Sequence, residues 1–251
     1  MMPGSKASFH GKPSFRWDRG LLTRPHTSVR MGKTMCTRYY VELSPELRPI
    51  IEAARHSSLA AKMVHDLGRP VITEGEVKPT DIAPVIASNS RGIRSVFPMI
   101  FGFQQSDRDN TRRSRPLLNA RVETADQKPT FRECWQRRRC IIPASFYFEW
   151  EHLTKPDGTK ETGDKYAIQP AGATVTWLAG LYRMENGYPF FTILTRPPVG
   201  EAGRIHDRMP LILPETAIAG WIDPASPADT VKEISAAALT EMVLEKVQDH
   251  Q

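Results

Sequence analysis

The run Arg139-Cys140-Ile141-Ile142-Pro143-Ala144-Ser145-Phe146-Tyr147-Phe148-Glu149-Trp150 decides how the chain is read. β-branched and aromatic residues fill it, and these suit the pleated, half-buried surface of a sheet, so residues 140–150 are expected to form one strong strand. Side chains alternate across a strand. Phe146, Phe148 and Trp150 then share one face, and Ser145, Tyr147 and Glu149 the other. Pro143 cannot donate to a ladder, which predicts a bulge or a sheet edge just upstream of this aromatic part. Glu149 stands amid aromatic surface. A carboxyl group there is either paired or held protonated by desolvation, and the second state makes a general acid near neutral pH. Taken alone, a structural ion pair is the commoner outcome.

Working upstream, a helix over 131–139 feeds this strand, and short apolar runs at 70–73, 82–87, 96–103 and 116–123 precede it, punctuated by Pro or Gly. A strand over 36–43 is followed by Ser44-Pro45, an N-cap and first-turn proline. The apolar spacing of Leu47, Ile50, Ile51, Ala54, Leu59 and Met63 then predicts one helix over 46–67, stopped by Gly68-Arg69-Pro70. Downstream, residues 151–164 read as a polar hairpin-like loop around Pro156-Asp157-Gly158. Strands follow at 165–169, 174–182, 188–195 and 210–213. A short helix is expected over 214–221, a second from Ser226-Pro227 to about residue 238, and a last strand over 241–247. No repeat or long linker divides residues 36–251. The fold class is therefore α+β: a single domain over 35–251, with a mostly antiparallel, distorted barrel-like sheet and flanking helices.

Composition narrows the classes. The 21 prolines among 251 residues favour strands and loops over a helical bundle. Cys36, Cys134 and Cys140 show no Cys-x-x-Cys spacing, which argues against a disulfide scaffold or a zinc site, and no metal or cofactor is expected. Cys134 and Cys140 sit in or beside apolar segments and read as small core residues. No apolar run approaches the ~18 residues of a membrane span, so a soluble protein with no membrane partner is expected. The net charge of +6 belongs to residues 1–35, where seven basic residues face Asp18 alone; the remainder holds 27 of each sign. The high pI is thus no mark of a basic domain. Residues 1–34, rich in Gly, Ser, Arg, Lys and Pro, are expected to be a disordered leader or the product of a mis-assigned start.

Three further stretches can carry chemistry. In Asn119-Ala120-Arg121-Val122-Glu123-Thr124 strand alternation puts Asn119, Arg121 and Glu123 on one face. Such a face is usually just solvated; its functional version is a positioned amide beside a phosphate-gripping guanidinium. In Ile205-His206-Asp207-Arg208-Met209-Pro210, Asp207 and Arg208 can orient His206 and bind phosphate. Met35-Cys36-Thr37-Arg38-Tyr39-Tyr40 matters if Met35 is the true start, because its removal leaves a thiol beside a free α-amine. Arg108, Arg112, Arg113, Arg115 and Arg121, against Asp107 and Asp109, with Arg137, Arg138 and Arg139, predict local positive surface. Phe101, Phe103 and Trp135 nearby could stack bases, though most of them should be core.

In this order, Met-Cys-x-Arg, Asn-Ala-Arg-Val-Glu-Thr, Arg-Cys-Ile-Ile-Pro-Ala-Ser with Glu-Trp four residues on, and His-Asp-Arg-Met-Pro-Leu resemble the SOS response-associated peptidase (SRAP) family over residues 35–251. The resemblance implies a single α+β domain around a distorted barrel that binds single-stranded DNA and crosslinks covalently to abasic sites. It implies Cys36 as the crosslinking residue, Asn119 as the group orienting the sugar, Glu149 as acid/base and His206 as the active-site histidine. Arg38, Arg121, Thr195 and Arg208 resemble DNA-contacting positions. It also implies a monomer in the nucleoid-bearing cytoplasm. Thr37, Phe101 and Phe146 depart from the family's usual glycine, tryptophan and glycine.

The chemistry of an abasic site suits these residues, because its sugar opens to an aldehyde. An α-amine with pKa ~8 is about a quarter neutral at pH ~7.5, against roughly a thousandth of a lysine. The amine of Cys36 is then the better Schiff-base former, and its thiol can close a thiazolidine ring. Two other readings compete. One is a thiol peptidase using Cys36 with His206 and Asn119 or Glu149, the leader being removed by self-cleavage. The other is a non-covalent single-strand-binding module in which the polar clusters only grip phosphate.

Overall fold

The computed structural model describes residues 38–105 and 115–248. In chain order the elements are β1 (Arg38–Val41), α1 (Arg48–Arg55), α2 (Ser58–Leu67), β2 (Gly75–Val77), β3 (Ile82–Ser88), β4 (Arg94–Phe101) and β5 (Asn119–Arg121). There follow α3 (Pro129–Arg137), β6 (Arg139–Ala144), β7 (Phe146–Thr154), β8 (Lys160–Pro170), β9 (Thr176–Glu185) and β10 (Tyr188–Arg196). The chain then runs through α4 (Ala202–Ile205), β11 (Met209–Pro210), α5 (Ile218–Ile222), α6 (Ala228–Ala236) and β12 (Met242–Lys246).

The run expected as one strand over 140–150 is two strands in two sheets, with Ser145 as the crossing. β6 pairs with β3 and β9, whereas β7 pairs with β1 and β8. At the crossing the Ser145 N–H donates to Tyr40 O at 2.8 Å, and its hydroxyl accepts the Glu42 N–H at 2.9 Å. Its carbonyl accepts the Thr176 hydroxyl at 2.8 Å. The backbone groups lost from a ladder are thereby satisfied locally. Pro143 faces Trp177 of β9, while the β3 ladder stops at Ile141. On the β3 side the edge therefore opens at Ile142, just upstream of Pro143, as expected.

Strands β10, β4, β3, β6 and β9 close into a barrel because β10 pairs with both β4 and β9. The pairings are antiparallel except that β10 runs parallel to β4 and to β5. Gly180 of β9 lies between Cys140 of β6 and Ile193 of β10. A Cβ there would stand 2.5 Å from Ile142 Cδ1 and 2.7 Å from Thr192 O, so this closure needs glycine. The second sheet has the order β12-β8-β7-β1-β2. Its inner face adds Tyr39, Tyr147, Ile168 and Val77 to the main core. Its outer face carries a separate cluster of Phe146, Phe148 and Ala167, flanked by Tyr40 and Trp150. Phe146, where the resembled family has glycine, stacks on Tyr40 with ring centroids 5.0 Å apart.

Other expectations are corrected in detail. The helix over 46–67 is α1 and α2, because Ser57 breaks it: its hydroxyl donates to Ala54 O and accepts the Ala60 N–H, capping α2. The loop over 151–164 is mostly strand. β7 and β8 extend to a short turn in which Asp157 accepts the Thr159 N–H at 2.8 Å and Gly158 takes φ +82°. Between Trp150↔Lys165 and His152↔Thr162, two steps on β7 meet three on β8, a bulge at Gly163 and Asp164. Of 210–213 only Pro210 joins the barrel ladder, in β11 with Met209, apart from a single bridge between Ile212 and Leu178. No helix among the described residues is long and apolar enough to cross a membrane.

Candidate functional site

Glu149 lies on the inner face of β7 beside Tyr147 and is only 4% exposed. Its Oε1 accepts the Trp150 N–H at 3.3 Å. His206 follows α4, whose short turn delivers it in extended conformation at the start of the segment leading to β11. Its Nδ1 accepts the Arg208 N–H at 3.0 Å. Asp207 Oδ1 lies at the same distance from Nδ1, with the Asp207 side chain 70% exposed. One nitrogen cannot both accept the amide proton and donate to a carboxylate. The amide is fixed by the chain and the carboxylate is in solvent, so the neutral ring carries its proton on Nε2.

Arg208 is the hub on the barrel side. Its guanidinium grips Glu123 through two bonds, at 2.5 and 2.7 Å, and its Nη2 also donates to Thr195 O at 2.7 Å. The Arg208 bonds hold the Glu123 carboxyl below the usual glutamate range, against partial burial. Glu123 is not on the strand that was expected to carry it: β5 ends at Arg121, and Glu123 reaches Arg208 from the following turn. Asn119 and Arg121 share one face of β5, opposite Ile193 and Thr195 of β10. Asn119 is half-buried and Arg121 exposed. Thr195 is fully buried, its hydroxyl directed to Ala120 O at 3.4 Å.

A ring contact joins the His206 segment to the second sheet. The rings of His206 and His152 meet with centroids 4.2 Å apart at 60°. His152 lies three residues beyond Glu149 on β7, in the stretch expected as loop, so sequence reading missed it. No clean alternation marks it, since Leu153 falls on the same face as Glu149 and Glu151. Asn119, Arg121, Thr195, Arg208, His206 and Glu149 thus lie along one chain of contacts and shared strands.

Arg38 stands apart from Glu149. It faces Phe148 across β1 and β7, on the outer face of the sheet. There it pairs with Glu76 at 2.9 Å and lies 5.7 Å from the Trp150 ring centroid, while Lys165 Nζ sits 3.7 Å from that of Phe148. Cys36, Arg108, Arg112 and Arg113 lie outside the described residues. Arg139 is not surface charge as expected. Its guanidinium is buried and donates to the carbonyls of Trp135, Gln136, Trp221 and Asp223, at the ends of α3 and α5. Phe101, Phe103 and Trp135 are buried. Burial pushes the Cys134 thiol up to about 11 and that of Cys140 well above its ordinary value, so neither is a ready nucleophile. Among the described residues no cluster of His, Cys, Asp and Glu could hold a metal ion.

Residues 35–250 match the family described as SOS response associated peptidase (SRAP). The chain is 36% identical over 113 residues to the abasic site processing protein YoaM of Bacillus subtilis (strain 168), which is 43% of this chain and 48% of that protein. It is 31% identical over 128 residues to the abasic site processing protein YedK of Escherichia coli (strain K12), 48% of this chain and 54% of that one. The chain spans about half the length of these curated relatives. In fold it is similar to a Bacteroides thetaiotaomicron protein solved by X-ray crystallography. The TM-score is 0.63 at 22% identity, covering 85% of this chain and 93% of that one. A phage-related protein from Bordetella bronchiseptica gives 0.60 at 20% identity, covering 85% and 95%.

Proposed function

The chain belongs to the SOS response associated peptidase family, and from that premise we propose that it binds single-stranded DNA at abasic sites and crosslinks to them through Cys36. In this reading residues 1–35 are absent from the working protein, so Cys36 carries a free α-amine. That amine attacks C1′ of the opened sugar, and the aldehyde oxygen takes up a proton. Water then leaves the carbinolamine and an imine remains. The Cys36 sulfur adds to the imine carbon while the nitrogen receives the thiol's proton, closing a thiazolidine with one water as by-product.

Proton transfers at both steps fall to Glu149 and His206. Glu149 supplies the proton that lets hydroxide depart as water. His206 acts at Nε2, because Nδ1 is engaged by the Arg208 amide. Asn119 holds the sugar oxygens without changing charge. Arg121 and Arg208 meet phosphate, and Arg38 meets it from the outer face. Thr195, being buried, serves by holding Arg208 rather than by touching DNA.

The observation that best supports this reading is the His206 junction. One imidazole is bound to the Arg208 segment through Nδ1 and packed on β7, the strand that bears Glu149. This junction links His206 to the segment that bears Arg208 and to the strand that bears Glu149. The protein acts as a monomer in the nucleoid-bearing cytoplasm on this account.

The test incubates protein begun at Met35, with the methionine removed, with single-stranded DNA containing one abasic site. A shifted band on a denaturing gel that Cys36→Ala abolishes is the expected result; no band on abasic DNA overturns the reading. The family's name, a peptidase, favours one rival, self-processing. Loss of the first 35 residues from the full chain, blocked by Cys36→Ala and unaccompanied by crosslinking, would establish that rival. Salt-sensitive binding with no covalent product would point to the simple binding module.

A further inference from the structure

We propose that His152 is a positioning residue for His206, and that the bulge in β8 exists to bring it there. This rests on the function proposed above. His152 belongs to the solvent-exposed half of the β7–β8 hairpin, yet its ring packs against a histidine side chain that is 2% exposed. Strict alternation would keep His152 with Phe148 and Trp150 on the outer face of the sheet. The extra residue on β8 changes that. A bulge bends and twists its strand pair and re-aims the side chains beyond it, and this one falls between Trp150 and His152. Gly163 sits within it, where a Cβ would stand 2.9 Å from Glu151 Oε2 and 3.0 Å from Leu153 Cδ1.

His206 is restrained by contacts of different kinds. The Arg208 amide holds Nδ1, which fixes the tautomer and one end of the ring. The edge-to-face contact of His152 bears on the ring from the β7 side and opposes rotation of the imidazole about its own axis. Nε2, the proton-bearing atom, is the one whose direction then matters. The contact needs an aromatic ring at position 152, not a charge or a hydrogen bond.

His152→Ala and His152→Phe, each made in the chain begun at Met35 with its methionine removed and, for affinity, also in the full chain, are compared with wild type for two quantities. The first is the single-turnover rate of crosslinking to abasic single-stranded DNA. The second is affinity for undamaged DNA of the same length. His152→Ala is expected to slow crosslinking roughly tenfold while affinity changes by less than about twofold, the mark of lost positioning. His152→Phe is expected to restore the rate to within about twofold of wild type. An unchanged rate in His152→Ala, equal falls in rate and affinity, or a Phe variant as slow as the Ala variant each overturns the inference. If wild type forms no crosslink at all, the proposed function itself fails and takes this inference with it.

Discussion

Strands β6 and β7 are consecutive in the chain, separated by one residue, and they do opposite work. Every residue of β6 is buried, and its one charged side chain, Arg139, spends its guanidinium on backbone carbonyls. β7 begins equally buried but holds a carboxylate, Glu149, inside, and then emerges as a hairpin arm with His152 in solvent. The barrel strand has neighbours that fix it on both sides; the hairpin strand has one end free of the core. Shape is set in the first, and the proposed proton chemistry belongs to the second. Ser145, bonded to both sheets, keeps the two in register.

Substitutions in the two strands should therefore separate stability from activity. The largest stability effect is expected from Arg139→Met, which leaves the carbonyls of Trp135, Gln136, Trp221 and Asp223 without their donor. A loss of about 3 kcal/mol or more is expected in denaturant unfolding. Gly180→Ala should cost less, on the order of 1–3 kcal/mol, by forcing Ile142 and the Thr192 carbonyl apart in the barrel wall. On β7 the reverse pattern is expected. Glu149→Gln keeps the shape of the side chain, so unfolding should shift little while the crosslinking rate falls about a hundredfold. A variant that unfolds as readily as Arg139→Met would erase the distinction.

Arg208→Lys probes the link between the two regions. Lysine cannot reproduce the two-point grip on Glu123 together with the Thr195 carbonyl bond. Rate and single-strand affinity should both fall roughly tenfold, unlike the split expected at His152. The smallest effect is on acid stability. The Glu123 carboxyl is lowered in the folded state, first by its Arg208 bonds. Its contribution is present above the ordinary glutamate range and is lost as pH falls through the lower native value. Arg208→Met should remove that part of the acid-side decline, giving a shallower loss of stability in the same pH interval. A decline as steep as in wild type would show the pair to be neutral for folding, as exposed pairs often are.

How much of this could be read beforehand follows the range of the interactions involved. The strand character of 140–150 was legible because β-branched and aromatic residues are local signals. Its division at Ser145 was not, since the bonds that divide it come from Tyr40, Glu42 and Thr176. Barrel closure rests on β10 running parallel to β4, a pairing between residues about ninety positions apart that no local pattern encodes. Helix 46–67 was misread as continuous although Ser57 is a capping residue, because the apolar spacing on either side stayed in phase. In the candidate site, His206, Asn119 and Glu149 stood out through motif order. His152 did not, because polar residues around Pro156-Asp157-Gly158 look like loop until their cross-strand partners are known.

The central claim is that Cys36 acts as an N-terminus, and the intact chain tests it against its shortened form. Both are incubated with single-stranded DNA bearing one abasic site and resolved on a denaturing gel without borohydride, the mass of each N-terminus being verified beforehand. The account predicts a stable crosslink from the protein that begins at Cys36 and none from protein that retains residues 1–35. Equal crosslinking by the verified full-length chain would contradict it, because an acylated amine cannot form the imine that the thiazolidine requires.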